Sequence, residues 1–239
     1  MDNATYTTLT RMSGLKREMG VIANNLANLS TTGFRREGIV FSEFVVGTQR
    51  HEPSLSMALG NTRHTYQMPG ALTQTNGTFD LAIEGEGFFQ LQTPQGERLT
   101  RAGIFSPNAA GELVNMDGHL LLDAGGAPIF VPPDAGHVAV SRDGTLSADG
   151  QPFGQVGLVR PADPVTMRHE AGTLFVVDGP LDPVEAPAVL QGFLEESNVD
   201  PLPQIARMIE VQRAYEQGQR FLDREDERIK TVIQTLGRG

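Results

Sequence analysis

The side chains that usually carry chemistry are scattered along this sequence. The five histidines, His51, His64, His119, His137 and His169, never stand three to five residues apart. No two of them could therefore grip a metal from one helix face. The chain has no Cys, which removes thiolate nucleophiles, Cys-based metal sites and disulfides together. It also lacks a G-x-S-x-G elbow and a phosphate-binding P-loop. Gly85-Glu86-Gly87 opens like a dinucleotide loop, but the third glycine is missing and Gln90 follows; a tight bend between strands is the better reading. Asp-Gly recurs at 117–118, 143–144, 149–150 and 178–179. None of these pairs has the spaced oxygen ligands of a calcium loop, so all read as turns. The acidic run 223–227, broken only by Arg224, reads as a solvated helix face. The sequence predicts no enzyme, no metal and no cofactor.

Amides are the more informative polar groups. Asn24, Asn25 and Asn28 fall inside an apolar helical pattern, where Asn is a mediocre helix former. One reading is an exposed face near a fraying end. The other is amide hydrogen bonding to neighbouring helices, which would fix register as a polar seam residue does in a coiled coil.

These residues need elements to position them, and composition limits the choice. The chain has 239 residues, 39% of them hydrophobic, with a formal net charge of −10. That length suits one to two domains with a real core. Such acidity predicts no nucleic-acid partner, because phosphate binding needs a basic face. No run approaches the ~18 apolar residues of a spanning helix, so no membrane insertion is expected. The opening MDNATYTTLTR lacks the basic start and apolar block of a cleavable secretory signal.

Most of the 27 Gly and 15 Pro fall between residues 69 and 187. Both break helices, so that block should be strands and turns, and the Gly- and Pro-poor ends should be helices. The expected fold class is α+β. Terminal helices pair as a coiled-coil-like domain, and a central all-β domain forms a sandwich or barrel. The expected organisation is an N-terminal helix within 1–33, an extended connector over 34–69, a β domain over 70–190 and a C-terminal helical segment over 191–239. Within the connector, FRREGIVFSEFVV could form a strand.

The first helix should run over 4–32. Met12, Leu15, Met19, Ile22, Leu26 and Leu29 form a stripe whose steps alternate between three and four, a heptad period. Gly33 follows and suits a left-handed C-terminal cap. The second helix opens after VDPLP, where Asp200 can cap it and Pro201 bounds its start. Its stripe runs Ile205, Met208, Gln212, Tyr215, Gln219, Leu222, Asp226, Ile229, Ile233 and Leu236. In the middle block, LVNMDGHLLL and VAVSRDGTLS read as hairpins, since Asp-Gly between apolar runs is a strong turn signal.

One apolar seam is too little to order a helix of some 30 residues by itself. Most helical stability in proteins comes from packing. The terminal helices are therefore expected to fray in a lone chain and to order against neighbouring chains. Helices packed on the β block of the same chain are the simpler alternative, since apolar helical stripes usually mean core.

Several segments then resemble the bacterial flagellar rod and hook protein family. They are IANNLANLSTTGFRRE at 22–37, GALTQTNGTFDLAIEGEGFFQL at 70–91, LTRAGIFSPNAAGELVNMDGHLLL at 99–122, and SNVDPLPQIARMIEVQRAYEQGQRFL at 197–222. They fall in order and span nearly the whole chain; 123–187 is not diagnostic. The opening MDNATYTTLTRMSGLKREM and the tail QGQRFLDREDERIKTVIQTL resemble proximal more than distal rod subunits of that family. The resemblance implies a mechanical role in the periplasm-spanning rod of the flagellar basal body, a drive shaft carrying motor torque to the hook. It implies passage through the flagellar type III export apparatus. The implied partners are other rod subunits, of the same and related chains and including the distal rod protein, met through the terminal helices. The expected subunit-interface residues are Met12, Leu15, Met19, Ile22, Asn24, Asn25, Leu26, Asn28 and Leu29, with Ile205, Met208, Gln212, Tyr215, Leu222, Ile229, Ile233 and Leu236. The alternatives are a distal rod subunit and a cell-wall-binding β module with helical oligomerisation arms.

Overall fold

The structure, a computed structural model, describes residues 2–46 and 55–237. Helix α1 (Asp2–Ala27) comes first, then strands β1 (Glu37–Val46) and β2 (Leu55–Thr65). A series of short strands follows: β3 (Leu72–Gln74), β4 (Leu81–Ile83), β5 (Phe88–Thr93), β6 (Gly96–Thr100), β7 (Ser106–Pro107), β8 (Leu113–Val114) and β9 (Leu120–Leu121). Next come β10 (Val138–Val140), β11 (Thr145–Ala148), β12 (Gln151–Gln155), β13 (Leu158–Pro161), β14 (Met167–Ala171), β15 (Leu174–Val177), β16 (Leu181–Pro183), β17 (Val189–Gln191) and β18 (Phe193–Glu195). Helix α2 (Pro201–Leu236) closes the chain. The order of helix, β-rich middle and helix is the one the Gly and Pro distribution predicts.

The chain divides into two compact units. One comprises Met1–Ala27, Glu37–His64 and Asp200–Gly239; the other comprises Asn28–Arg36 and Thr65–Val199. The first is therefore assembled from both ends of the sequence plus the β1–β2 pair. The second is the β unit.

In the β unit the largest sheet runs β14-β15-β6-β5-β9-β8-β7, with β13 pairing β5 and β16 pairing β13. Apolar positions of this sheet meet those of β4 and β11 in the main core, where Leu81, Phe89, Leu91, Leu113, Leu121 and Leu146 are fully buried. Phe88, Leu99, Met167 and Phe175 form a second, smaller cluster. Both expected hairpins form: Val114 pairs with Leu120, and Val140 with Leu146. The Asp-Gly at 178–179 is different. It leads from β15 into β16, which pairs with β13 instead. Gly85 and Gly87 sit between β4 and β5 with φ of +107° and +109°, the bend read from the sequence.

Three expectations need correction. The segment 191–239 is not helical throughout: β18 lies within it, α2 opens at Pro201, and the β unit runs to Val199. The stretch 34–69 is more than an extended connector. β1 and β2 pair as a two-stranded sheet within it, while residues 47–54 lie outside the described residues. The β-branched and aromatic residues from Ile39 onward suit a strand, and the polar sequence of β2 concealed its partner. Gly33, in turn, does not cap α1, which ends at Ala27. Its φ of +70° serves a close approach instead. A Cβ at this position would lie 2.3 Å from the Ala102 backbone nitrogen, and the Gly33 N–H donates to the Glu195 carbonyl at 2.7 Å. Only glycine meets both demands.

That approach sits beside a buried ion cluster. The Glu195 carboxylate receives Arg35 Nη1 at 2.6 Å and Arg101 Nη1 at 3.0 Å, all three side chains being almost wholly buried. Glu195 Oε1 also accepts the Gly70 N–H at 2.9 Å. Arg101 Nη2 donates to the Gly85 carbonyl at 2.6 Å, and Arg35 Nη1 to the Met68 carbonyl at 2.5 Å. Burial pulls the Arg35 guanidinium down to about 10 against the opposing pull of Glu195. Nearby, Asn198 Oδ1 accepts the Arg36 N–H at 2.6 Å, and its Nδ2 donates to the Met68 carbonyl at 2.7 Å. Two side chains thus join the segments 33–36, 66–70 and 195–198.

Removing the one negative charge leaves two buried guanidiniums facing each other. Glu195→Gln should cost about 3 kcal/mol, while the exposed neighbour change Glu196→Gln costs under about 1 kcal/mol. Urea unfolding followed by circular dichroism checks this, and equal effects would refute the role of Glu195. Gly33→Ala should cost about 3 kcal/mol from its left-handed backbone and the clash with Ala102. An unchanged melting temperature would show that the segment moves aside freely.

Candidate assembly surface

Helices α1 and α2 run antiparallel within their unit. Met12 meets Gly218, Leu15 and Ile22 share a cluster with Val211, and Asn25 bonds Gln204. The buried centre consists of Leu15, Ile22 and Val211, with Met19, Leu26, Met208, Ala214 and Tyr215 packed around it. Asp200 caps α2 as expected, accepting the Leu202 N–H at 3.0 Å, and Pro201 opens the helix.

The contact face of α2 passes through Gln204, Met208, Val211, Tyr215, Gly218 and Leu222. Its steps alternate four and three, whereas the stripe read from the sequence alternates three and four. The two share Met208, Tyr215 and Leu222 but differ in phase. Val211 and Gln204 are buried, while Ile205 and Gln212 are exposed. Val211 and Gly218 were the available signals. An apolar residue and a small one, seven apart, mark a close-packed face. A Cβ on Gly218 would lie 2.9 Å from Met12 Cγ, so the glycine brings the helices together at that level.

Asn25 is nine-tenths or more buried and fully used inside the chain. Its Nδ2 donates to the Glu37 carbonyl at 2.8 Å, and its Oδ1 accepts the Glu37 N–H at 3.0 Å. It thus binds the first residue of β1 as a neighbouring strand would. The same Nδ2 also reaches Gln204 Oε1 at 3.1 Å. The polar-register idea therefore applies to a strand and a helix of the same chain. Asn24 is half-buried in α1; Asn28 and Leu29 are half-buried just after it. Asn28 Oδ1 accepts the Thr31 hydroxyl at 3.0 Å. Further along the pair, Arg207 Nε donates to Glu18 Oε1 at 2.7 Å. The Glu18 hydrogen bond holds the Arg207 guanidinium above its ordinary value.

A second set of apolar residues on α2 stays in solvent. Ile205 is 48% exposed, Ile229 43%, Ile233 64% and Leu236 77%. Leu202, Ile209 and Val232 join them, as do Tyr6 and Leu9 of α1. Extending the Met12–Gly218 register carries the start of α1 to the neighbourhood of Glu227. At 1.5 Å per residue, α2 is ~54 Å long and α1 ~39 Å. The last turns of α2, from Ile229 to Leu236, therefore have no described α1 residue beside them.

Among the described residues, no three His, Asp or Glu side chains are placed to hold a metal, and no helix is long and apolar enough to cross a membrane. His51 lies outside the described residues. His169 is a packing residue, edge-on to Phe34 at 5.7 Å and Phe175 at 5.2 Å.

Comparisons with known proteins fall on both units. A family model described as flagella basal body rod protein matches residues 6–35. The D1 domain of the flagellar hook protein FlgE/F/G matches 82–148, and the C-terminal part of the flagellar basal body rod FlgEFG protein matches 190–235. The flagellar basal-body rod protein FlgF of Caulobacter vibrioides is 38% identical over 250 residues, covering 100% of this chain and 99% of the relative. FlgF of Mesorhizobium japonicum is 36% identical over 256 residues, with 99% of each chain covered. The flagellar basal-body rod protein FlgG of Bacillus subtilis is 29% identical over 255 residues, covering 95% of this chain and 97% of the relative.

Replacing Asn25 by Leu keeps its bulk but strands the N–H and C=O of Glu37. Asn25→Leu should cost about 2 kcal/mol and speed amide exchange at Glu37 at least tenfold. Unchanged protection there would mean that β1 does not depend on this amide.

Proposed function

The chain belongs to the flagellar basal-body rod proteins, of the proximal rod type, and on that premise we propose that its terminal helices join it to other rod subunits. It is a structural subunit of the bacterial flagellar basal body, in the part that spans the periplasm, and not an enzyme. The proposal concerns how it does this work.

The carrying observation is the unpartnered apolar face of α2. Ile205, Ile229, Ile233 and Leu236 are about half exposed or more, although each would gain on the order of 1–2 kcal/mol on burying what is still exposed. At 3.6 residues per turn, Ile229, Ile233 and Leu236 continue the face that Val211 and Gly218 turn to α1, past the end of α1, while Ile205 stands on another side; a helix with apolar residues left over in both places suits an array in which each helix touches more than one neighbour. Head-to-tail contacts that do not close into a ring give such a helical array. The interface in this reading comprises the exposed residues together with the rims of the α1–α2 pair, including Met12, Tyr215 and Leu222. Leu15, Ile22 and Asn25 act indirectly, by holding the pair in shape. The two helices then behave as a coiled-coil-like element, the β unit is sandwich- or barrel-like, and the distal rod protein is one of the neighbours.

Torque transmission follows from packing. Side chains held on several sides at crystal-like density resist displacement, so a tube of interlocked helices resists twist. Export by the flagellar type III apparatus fits a chain whose helices order fully only on assembly. The absence of Cys also leaves nothing to crosslink in the oxidising periplasm.

Because Ile229 is exposed, Ile229→Asp should leave the isolated chain folded, with its melting temperature changed by less than about 2 °C. Burying the new charge at a subunit contact is costly, so the variant should be depleted at least tenfold from purified basal bodies and the cells should lose motility. Wild-type incorporation would refute this face as an interface.

A further inference from the structure

The buried ion cluster of the β unit does not balance. Arg35 and Arg101 bring two positive charges and Glu195 one negative, and all three side chains are almost wholly buried. The neighbouring carboxylates are spent or in solvent. Glu196 accepts the Thr73 hydroxyl at 2.5 Å on the surface. Glu86 acts on Arg101 from a distance, but it is exposed and faces Arg160 at 3.5 Å. Asp182, opposite Arg160 in the strand pair, is exposed too. One unit of positive charge therefore stays in the interior. Burial is the largest influence on both guanidiniums and outweighs Glu195. It pulls Arg35 down to about 10 and holds Arg101 below its ordinary value.

The donors point to one edge of Arg35. A guanidinium carries five N–H groups in a fixed plane. Arg35 uses only Nη1, which serves Glu195 and the Met68 carbonyl. Its Nε and Nη2 are buried and have no hydrogen-bond partner, and Nε of Arg101 is in the same condition. Nε–H and one Nη2–H of an arginine run parallel along one edge, the fork that receives both oxygens of a carboxylate. A buried donor left unmet is costly, more so on a charged group.

We propose that the Nε–Nη2 edge of Arg35 binds one small planar oxyanion of the carboxylate class, which supplies the second negative charge of the cluster. Two oxygens meet two parallel N–H groups, whereas a halide offers them a single atom. A water molecule would satisfy the donors and leave the charge uncompensated. The edge is closed to solvent in the folded chain, so the ion is taken up as the β unit closes and acts as a structural ligand. An open cleft of about 640 Å³ reaches the same cluster, with Met68, Gly85, Phe88 and Arg101 in its wall. Met68 is 75% exposed, and the cleft gives the cluster its route to solvent beside that residue. The inference goes beyond the rod reading and does not depend on it.

Formate is the smallest probe of this class. Full-length chain is melted in sodium formate and in sodium chloride at equal ionic strength, with the strand signal followed by circular dichroism. A ligand that binds only the folded state stabilises it with the logarithm of its concentration. From about 1 to about 100 mM formate the midpoint should rise at least ~5 °C more than in chloride. Amide exchange over 66–70 should slow about tenfold over the same range. Arg35→Met removes the fork and the surplus charge together, leaving one Arg–Glu pair, and should melt at the same temperature in both salts. Arg35→Lys keeps the charge without the fork and should lose more than half of the formate effect. Wild-type midpoints that agree in the two salts overturn the inference, and this comparison decides alone if neither variant folds. A formate effect that survives whole in Arg35→Met or Arg35→Lys overturns it as well.

Discussion

One buried carboxylate sets the conditions for the β unit. Glu195 sits between two guanidiniums with almost no solvent and also caps the Gly70 amide. A buried charge is tolerable only when paired and hydrogen-bonded. Arg35, Arg101 and Gly70 must therefore be in place together, or the group pays a heavy desolvation penalty. These residues, with Glu195, come from four stretches far apart in sequence: the segment after α1, the segment after β2, the residue after β6 and the end of β18. Asn198 repeats the arrangement with a neutral amide. A strained approach such as Gly33 against Ala102 persists because this surrounding network over-determines it.

A network of this kind suits a protein that carries load. Its hydrogen bonds have defined directions and its ion pairs lie in a low-dielectric interior, where they are screened little by salt. Hydrophobic packing alone is non-directional. In the β unit, then, the apolar core supplies most of the stability, and the ion cluster fixes which segments lie beside which. In the helical unit Asn25 has the corresponding role, matching both backbone groups of Glu37 while it touches Gln204.

Much of this was legible in the sequence because the signals were local. Gly and Pro density separated helices from strands. Asp-Gly pairs marked the hairpins at 117–118 and 143–144, and Asp200 with Pro201 marked the start of α2. What escaped was settled by distant contacts. Val211 and Ile205 are both apolar, and neither announces which one meets α1; the answer depends on Gly218 meeting Met12. Gly33 looked like a helix cap because its partners, Ala102 and Glu195, are far away along the chain. The pairing of β1 with β2 was hidden by the polar sequence LSMALGNTRHT, which lacks regular alternation. Arg35, Arg101 and Glu195 were unremarkable charged residues until the fold buried them. Candidate interface residues were legible as types, since apolar stripes at helical spacing are visible. Whether each faced its own chain or the outside was not.

The paired and the exposed apolar residues of α2 differ in kind, and the difference bears on the order of events in assembly. The face toward α1 is built from Gln204, Val211, Tyr215 and Gly218, a mixed set in which the amide is satisfied and the glycine is matched by Met12. Such a face is specific, because a shift along the helix would break hydrogen bonds and create clashes. The exposed set comprises Ile205 and Ile209 on another side of the helix and Ile229, Ile233 and Leu236 on the continuation of the same side past α1, simple aliphatic side chains that gain by burial but discriminate less by themselves. A chain with this asymmetry should form its internal helix pair first, using the specific face, and present the aliphatic face afterwards. Selectivity between neighbours must then come from shape and charge around the aliphatic residues. Ile205 and Ile209 stand on a stretch of α2 already paired with α1, so a partner approaches them from one side only; Ile229, Ile233 and Leu236 lie beyond α1 and take their register from the neighbour itself.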